Sequence, residues 1–304
     1  MFKRGLNKII FQITWVCRVI LTKIGIKRRY KIDGVSIKLD YTHRLTDYQK
    51  YMRFYDRFLP HFVQYLPSNS TVVDIGANVG DTLVAMVSKK SDLEYVCIEA
   101  DPKFYEDLVD NLSILKQQNS NLNVHTVNKF VGKEIDNVKL EVTKGSEGSS
   151  HGSPGGDIRS YTLDSILSEI GINSNSLSLI KTDVDGYDYD VLSSAYGVIS
   201  NNPALFFECF YDNQEQLNGY KNLFSDLKLK GYENFSFFDN YGQFICTVDS
   251  IEEVNDMLNY VARQKFYKGT KSFHFYDILA FNNKNSDHIK KAIEDYKKKL
   301  EETA

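Results

Sequence analysis

Four apolar runs in this chain end on acidic residues, and those acids are what the sequence offers for chemistry. The first run, V-V-D-I-G-A-N-V-G-D-T from Val72 to Thr82, closes a β-branched strand with Asp74. Glycines at 76 and 80 let the backbone turn sharply and approach a ligand, and Asp74 is placed to accept hydrogen bonds from a ligand ammonium group. The spacing D-x-G-x-x-x-G differs from G-x-G-x-x-G, whose glycines seat a pyrophosphate over a helix N-terminus, so a nicotinamide oxidoreductase is disfavoured. Glu99 ends the next strand in Y-V-C-I-E-A-D-P, 25 residues after Asp74. An acid there meets both hydroxyls of a ribose, so an adenosine moiety is expected.

Two further runs, L-I-K-T-D-V-D-G-Y-D-Y-D-V-L (Leu179 to Leu192) and L-F-F-E-C-F (Leu205 to Phe210), bring Asp183, Asp185 and Glu208 to strand ends. Open α/β sheets bind their ligands at the carboxyl ends of strands, so these acids are expected around one cleft. Buried acids cost free energy unless something binds them, which makes Asp183 and Glu208 functional candidates. Gly186 turns the chain into a helix, and Asp188 and Asp190 in its first turn read as structural. His151, in the loop G-S-E-G-S-S-H-G-S-P-G-G-D, is placed to close over the cleft, and His274 flanks a strand that reaches it.

Around these residues the chain alternates strand and helix signals, which predicts α/β architecture with a mainly parallel sheet. Seven strands are expected: Thr71 to Ile75, Tyr95 to Glu99, Asn123 to Asn128, Leu179 to Asp183, Ala204 to Phe210, Asn234 to Phe238 and Phe275 to Phe281. Residues 70–283 form the central domain, with the Gly/Ser-rich segment Thr143 to Asp157 a flexible loop between Val138 to Val142 and Ile158 to Thr162. Residues 33–69 supply a hairpin around Asp33-Gly34 and an aromatic stripe of Tyr51, Phe54, Tyr55, Phe58 and Phe62 that reads as core, broken or restarted by Pro60. Residues 284–304 form a charged helix with a solvated face.

Residues 1–32 carry nine Lys or Arg and no acid, leaving 28 basic against 40 acidic residues, a body of about −12. Such a body repels nucleic-acid phosphates, so a nucleic-acid partner is not expected. Within the basic segment, residues 8–24 read as a helix with a narrow polar stripe, too short and polar to span a bilayer. It lies either on an anionic membrane surface or against the domain or a second subunit of a homodimer. Four scattered cysteines suggest neither zinc nor disulfides and fit a reducing cytoplasm, and no secretory signal is readable.

The blocks Asp74 to Gly80, Glu99 to Pro102, Thr162 to Asp164, Ile180 to Gly186 and Phe206 to Glu208 together resemble the FkbM-type S-adenosylmethionine-dependent methyltransferases. The resemblance runs in order over residues 71–210, and it departs at Asp185, where the family commonly has Glu. It implies a Rossmann-like class I methyltransferase fold: seven strands with helices on both faces, plus the N-terminal helical and hairpin extension. S-adenosylmethionine is then the donor, held by Asp74, Gly76, Asn78, Gly80 and Glu99. The implied reaction is O-methylation, with a sugar or glycan acceptor in surface-polysaccharide (O-antigen or capsule) synthesis, in the cytoplasm or peripherally at the inner membrane. A soluble secondary metabolite is the alternative acceptor, and a membrane-associated adenosylmethionine binder without turnover is the reading outside enzymes. A hydroxyl must lose its proton, so catalysis needs a base, with Asp183, Glu208 and His151 as candidates. The other route is a Mg²⁺-like ion held by Asp183, Asp185 and Glu208.

Overall fold

The computed structural model describes residues 2–136, 138–142, 150–154, 158–266, 274–284 and 286–303. The chain begins with helix α1 (Phe2–Lys23), a hairpin of β1 (Lys27–Ile32) and β2 (Val35–Asp40), and short helices α2 (Leu45–Tyr51) and α3 (Phe58–Phe62). The hairpin turn is Asp33-Gly34, both at positive φ. The aromatic stripe is thus two helices rather than one. Pro60 sits in the first turn of α3, where its missing N–H costs nothing. Phe58 and Phe62 are core as expected, whereas Tyr51 at the end of α2 is exposed.

Strand and helix then alternate through β3 (Thr71–Ile75), α4 (Asp81–Lys89), β4 (Glu94–Ile98), α5 (Pro102–Gln118) and β5 (Asn123–Val127). Asp101 caps α5, accepting from the backbone N–H groups of Lys103 and Phe104 with Pro102 at the first helical turn. An excursion follows: β6 (Phe130–Val131), β7 (Val138–Val142), β8 (Ser150–Pro154), β9 (Ser160–Tyr161) and α6 (Leu163–Glu169). Part of the segment expected as a flexible loop is therefore strand, because β8 pairs antiparallel with β7; residues 143–149 and 155–157 lie outside the described residues. The T-L-D block holds this region together. Thr162 caps α6, and Asp164 accepts from the Val198 N–H at 2.9 Å.

The second half contributes β10 (Leu177–Thr182), α7 (Asp188–Ser194), α8 (Tyr196–Ile199), β11 (Ala204–Cys209), α9 (Gln214–Leu229), β12 (Asn234–Asp239), β13 (Phe244–Val248), α10 (Ile251–Phe266), β14 (Tyr276–Phe281) and α11 (Asp287–Glu301). Among the described residues the main sheet has eight strands in the order β13-β12-β14-β11-β10-β3-β4-β5. The five strands from β11 to β5 are parallel, and β14 runs antiparallel between β11 and β12. All seven expected strands are present. The eighth, β13, is an edge strand of half-exposed residues, too short an apolar run to announce itself by period.

Alternation along the strands divides the core. Leu179, Ala204 and Phe206 face α3, α4, α5 and α11, whereas Ile180, Leu205 and Phe207 face α7, α9 and α10. The C-terminal helix is not simply solvated: Ile289, Ala292, Ile293 and Tyr296 bury one face of α11, and His61 of α3 bonds the Ala292 carbonyl at 2.9 Å. Burial pushes the His61 imidazole down, which suits a packing role.

Candidate active site

Three strand-end turns meet at the carboxyl edge of the parallel strands. Gly76, after β3, has φ +72°, and a Cβ there would stand 2.1 Å from the carbonyl oxygen of Asp183 after β10. Gly186 has φ +88°, and its Cβ would stand 2.9 Å from the Phe210 carbonyl after β11. Both glycines are therefore required by backbone-on-backbone approach, which is why the turns can form one wall. Asp185, at φ 51°, shares the second turn.

Beyond this wall lies a cleft of about 510 Å³. Of the residues expected from sequence, Gly76, Asn78, Asp183, Asp185, Glu208 and His274 line it. Asp74 does not face it. Its side chain is 1% exposed, and Lys181 Nζ lies 2.8 Å from its Oδ1. The same ammonium is 3.6 Å from Asp183 and donates to the Gly76 carbonyl at 3.2 Å. Burial alone would lower the Lys181 pKa, but the Asp74 and Asp183 charges outweigh it and hold the lysine protonated. Burial pushes the Asp74 carboxyl up, and the Lys181 charge opposes that. Asp74, expected to capture a ligand ammonium directly, thus faces Lys181 instead of the cleft.

Glu99 is likewise buried behind the turns. Its two oxygens accept from the Asn78 and Asp101 N–H groups, each at 2.8 Å, so the carboxylate ties the β3 turn to the β4 turn. Burial raises its pKa and those two N–H groups oppose the rise. Like Asp74, Glu99 is absent from the cleft lining. Gly80, at φ +83°, precedes α4 as its cap residue.

Glu208 and Asp277 are both strongly disturbed by their surroundings. Burial pushes both carboxyls well above the usual range, and the neighbouring charge of Asp183 pushes each further. Glu208 Oε2 is buried and makes no hydrogen bond. Asp277, missed from sequence, was legible as a lone acid inside F-Y-D-I-L-A-F; Lys181 was equally legible as a cation inside an apolar strand. The stripe residues Tyr55 and Phe58, together with Tyr48, Phe206, Phe210 and Phe275, give the cleft an aromatic lining. Asp188 is structural as expected, accepting from Thr182 Oγ1 at 2.8 Å and the Val184 N–H at 3.3 Å.

Asp183, Asp185 and Glu208 share the cleft without forming the expected metal centre: among the described residues, no group of three or more His, Cys, Asp or Glu is arranged to hold an ion. The backbone of His151 belongs to β8, in a two-stranded sheet apart from the main one, and its side chain lies outside the described residues.

No curated protein matches the chain. Among solved structures it is similar to an FkbM methyltransferase from Methylobacillus flagellatus KT, at 16% identity over 70% of this chain and 44% of that one, with a TM-score of 0.38. A precorrin-6y C5,15-methyltransferase from Geobacter metallireducens GS-15 aligns at 11% identity over 74% of this chain and 86% of that one, TM-score 0.39. A SAM-dependent methyltransferase from Agrobacterium tumefaciens aligns at 7% identity over 85% and 70% of the two chains, TM-score 0.44. The model of the methyltransferase FkbM domain matches residues 74–268, which takes in the turns, the buried lysine and the cleft acids Asp183, Asp185 and Glu208, while Asp277 lies beyond it. This chain belongs to the FkbM family of S-adenosylmethionine-dependent methyltransferases.

Proposed function

We propose that the chain methylates a hydroxyl of a neutral, polyhydroxylated acceptor, a sugar or glycan, with Glu208 taking the proton. The observation that carries this reading is the buried, unpartnered Glu208 Oε2 in the cleft wall. A buried carboxylate oxygen left without a partner is costly, and a ligand hydroxyl is the group that satisfies it. Aromatic rings stack on the C–H faces of a sugar while carboxylates accept from its hydroxyls; the same acids repel an anionic acceptor.

The donor fits the other end of the cleft. Gly76, Asn78, Asp81 and Thr82 lie at the β3 turn and the start of α4. The cleft acids complement a sulfonium. When bound, S-adenosylmethionine supplies an electrophilic methyl group. Asp183, Asp185 and Glu208 surround the region where the acceptor oxygen must meet it in line. The C–S bond breaks, the new O–C bond forms, and the hydroxyl proton passes to the Glu208 carboxylate, releasing S-adenosylhomocysteine. Acceptors of surface-polysaccharide synthesis at the cytoplasmic side of the membrane fit this chemistry. The aromatic lining favours one second reading, a planar secondary metabolite bearing a hydroxyl.

Release of S-adenosylhomocysteine is the test, measured with neutral sugars, uronic acids and phenols as acceptors. Turnover with neutral sugars alone is expected; turnover confined to phenols selects the second reading, and turnover best with uronic acids defeats the electrostatic argument.

A further inference from the structure

Helix α1 is turned the opposite way from a helix that belongs to a core. Two of its polar residues face the protein: Arg18 pairs with Asp47 of α2 at 2.6 Å, and Thr22 meets Thr42 at 3.3 Å. Three of its apolar residues, and Ile24 just past its last residue, face outward. Ile13, Val16, Ile20 and Ile24 are 59%, 56%, 53% and 63% exposed, and their 3-4-4 spacing puts them in one stripe. A contiguous apolar stripe of this kind marks a docking surface.

The charge around the stripe selects the occupant. Residues 1–32 carry nine basic residues and no acid, and Lys23 and Arg29 beside the end of the helix are exposed. Pairing the helix with its copy would set two such segments against each other, at a cost set by like-charge repulsion. An anionic bilayer offers the complement, apolar depth for the stripe and negative headgroups for its flanks. No described helix is long and apolar enough to cross a membrane, so the contact lies in the plane of the surface. We infer that α1 is an in-plane membrane helix that docks the protein on an anionic bilayer through Ile13, Val16, Ile20 and Ile24. Arg18 ties α1 to α2, which also gives Leu45 and Tyr48 to the cleft wall. The inference holds whatever the acceptor is.

Flotation of the full chain with vesicles tests it without any assay of activity. Vesicles of equal parts phosphatidylcholine and phosphatidylglycerol are expected to carry at least ~10-fold more protein than phosphatidylcholine vesicles at low salt, with the difference shrinking at high salt. Ile13→Glu/Ile20→Glu should abolish binding while the circular dichroism stays unchanged, since the Arg18–Asp47 pair is untouched. Ile24→Glu, just past the end of the helix, is the milder variant and should weaken binding ~10-fold. Equal or no binding to the two vesicles overturns the inference. So does a solution dimer that the double variant converts to monomer, because the stripe would then belong to a second copy.

Discussion

Glu208 on β11 and Asp277 on β14 stand directly opposite each other in the antiparallel register, and both line the cleft. Opposed residues share one face of a sheet, so the Asp277 charge adds to the rise of the Glu208 pKa. Burial has already pushed both well above the usual carboxylate range, and Asp183 adds a third negative group. Glu208, whose Oε2 makes no hydrogen bond, is the member open to an acceptor. Glu208→Gln keeps the volume and removes the base. Turnover should fall by about 10²-fold or more while S-adenosylmethionine binding, read by calorimetry, stays within the parental range. Parental turnover in this variant would remove Glu208 from the mechanism.

Asp277 should act on the reaction through Glu208 alone, and the pH profile reports that. Glu208 accepts a proton only when ionised, so activity rises with pH through its raised pKa. Asp277→Asn deletes one of the charges that raise it, and the acid limb of the kcat profile should move to lower pH. A limb that stays in place, with only the overall rate reduced, would make Asp277 a packing residue.

Lys181 carries a different kind of expectation, because its buried charge balances another. Lys181→Met leaves Asp74 buried at 1% exposure without its counter-ion and should cost about 3–5 kcal/mol in denaturant unfolding. Asp74→Asn combined with Lys181→Met should recover much of that loss, since neither charge is then stranded. Additive losses in the double variant would show that the two side chains act independently.

The contrast between Asp74 and Glu208 shows what was legible in the sequence. Strand identity followed from short β-branched runs alternating with helical stretches, and all seven expected strands appear in the sheet because that signal is local. The arrival of Asp183, Asp185 and Glu208 at one cleft also followed, from the rule that parallel strands deliver their ends to one edge. Partners across the sheet were hidden. Asp74 and Lys181 stand opposite each other only in the β3–β10 register, and Glu208 and Asp277 only in the β11–β14 register. No spacing along the chain encodes those pairings. For the same reason α11 read as a solvated charged helix although Tyr296 is buried against Phe58, whose partner face lies more than two hundred residues earlier.

Chelation separates the two ways of removing the acceptor proton. Since the cleft acids do not form an ion-holding group among the described residues, methyl transfer should be unchanged by EDTA and by added magnesium. Activity lost on chelation and restored by magnesium would mean that Asp183, Asp185 and Glu208 move together around an ion, and that Glu208 is a ligand rather than the base.

The last expectation concerns stability rather than rate. Asp188 is fully buried at the start of α7, and its carboxyl is pushed up to about 7, chiefly by burial and then by the Asp183 charge, against the opposing Thr182 hydroxyl. In the unfolded chain it titrates near 4. The folded state therefore favours the protonated form: the stabilisation is complete below about pH 4 and is lost as pH rises through about 7. Asp188→Asn removes the titration but keeps an acceptor for Thr182 and Val184, and its amide can donate to the Tyr220 hydroxyl, which sits 3.4 Å from Oδ2. The variant should gain stability relative to the parent between pH 5 and pH 8 (assay limits of about these values), by an amount on the order of 2–4 kcal/mol. Thermal melts of both proteins across that range measure the difference directly. A difference that does not change with pH would mean that Asp188 is ionised throughout, and that the Thr182 and Val184 contacts stabilise its charge more than burial disfavours it.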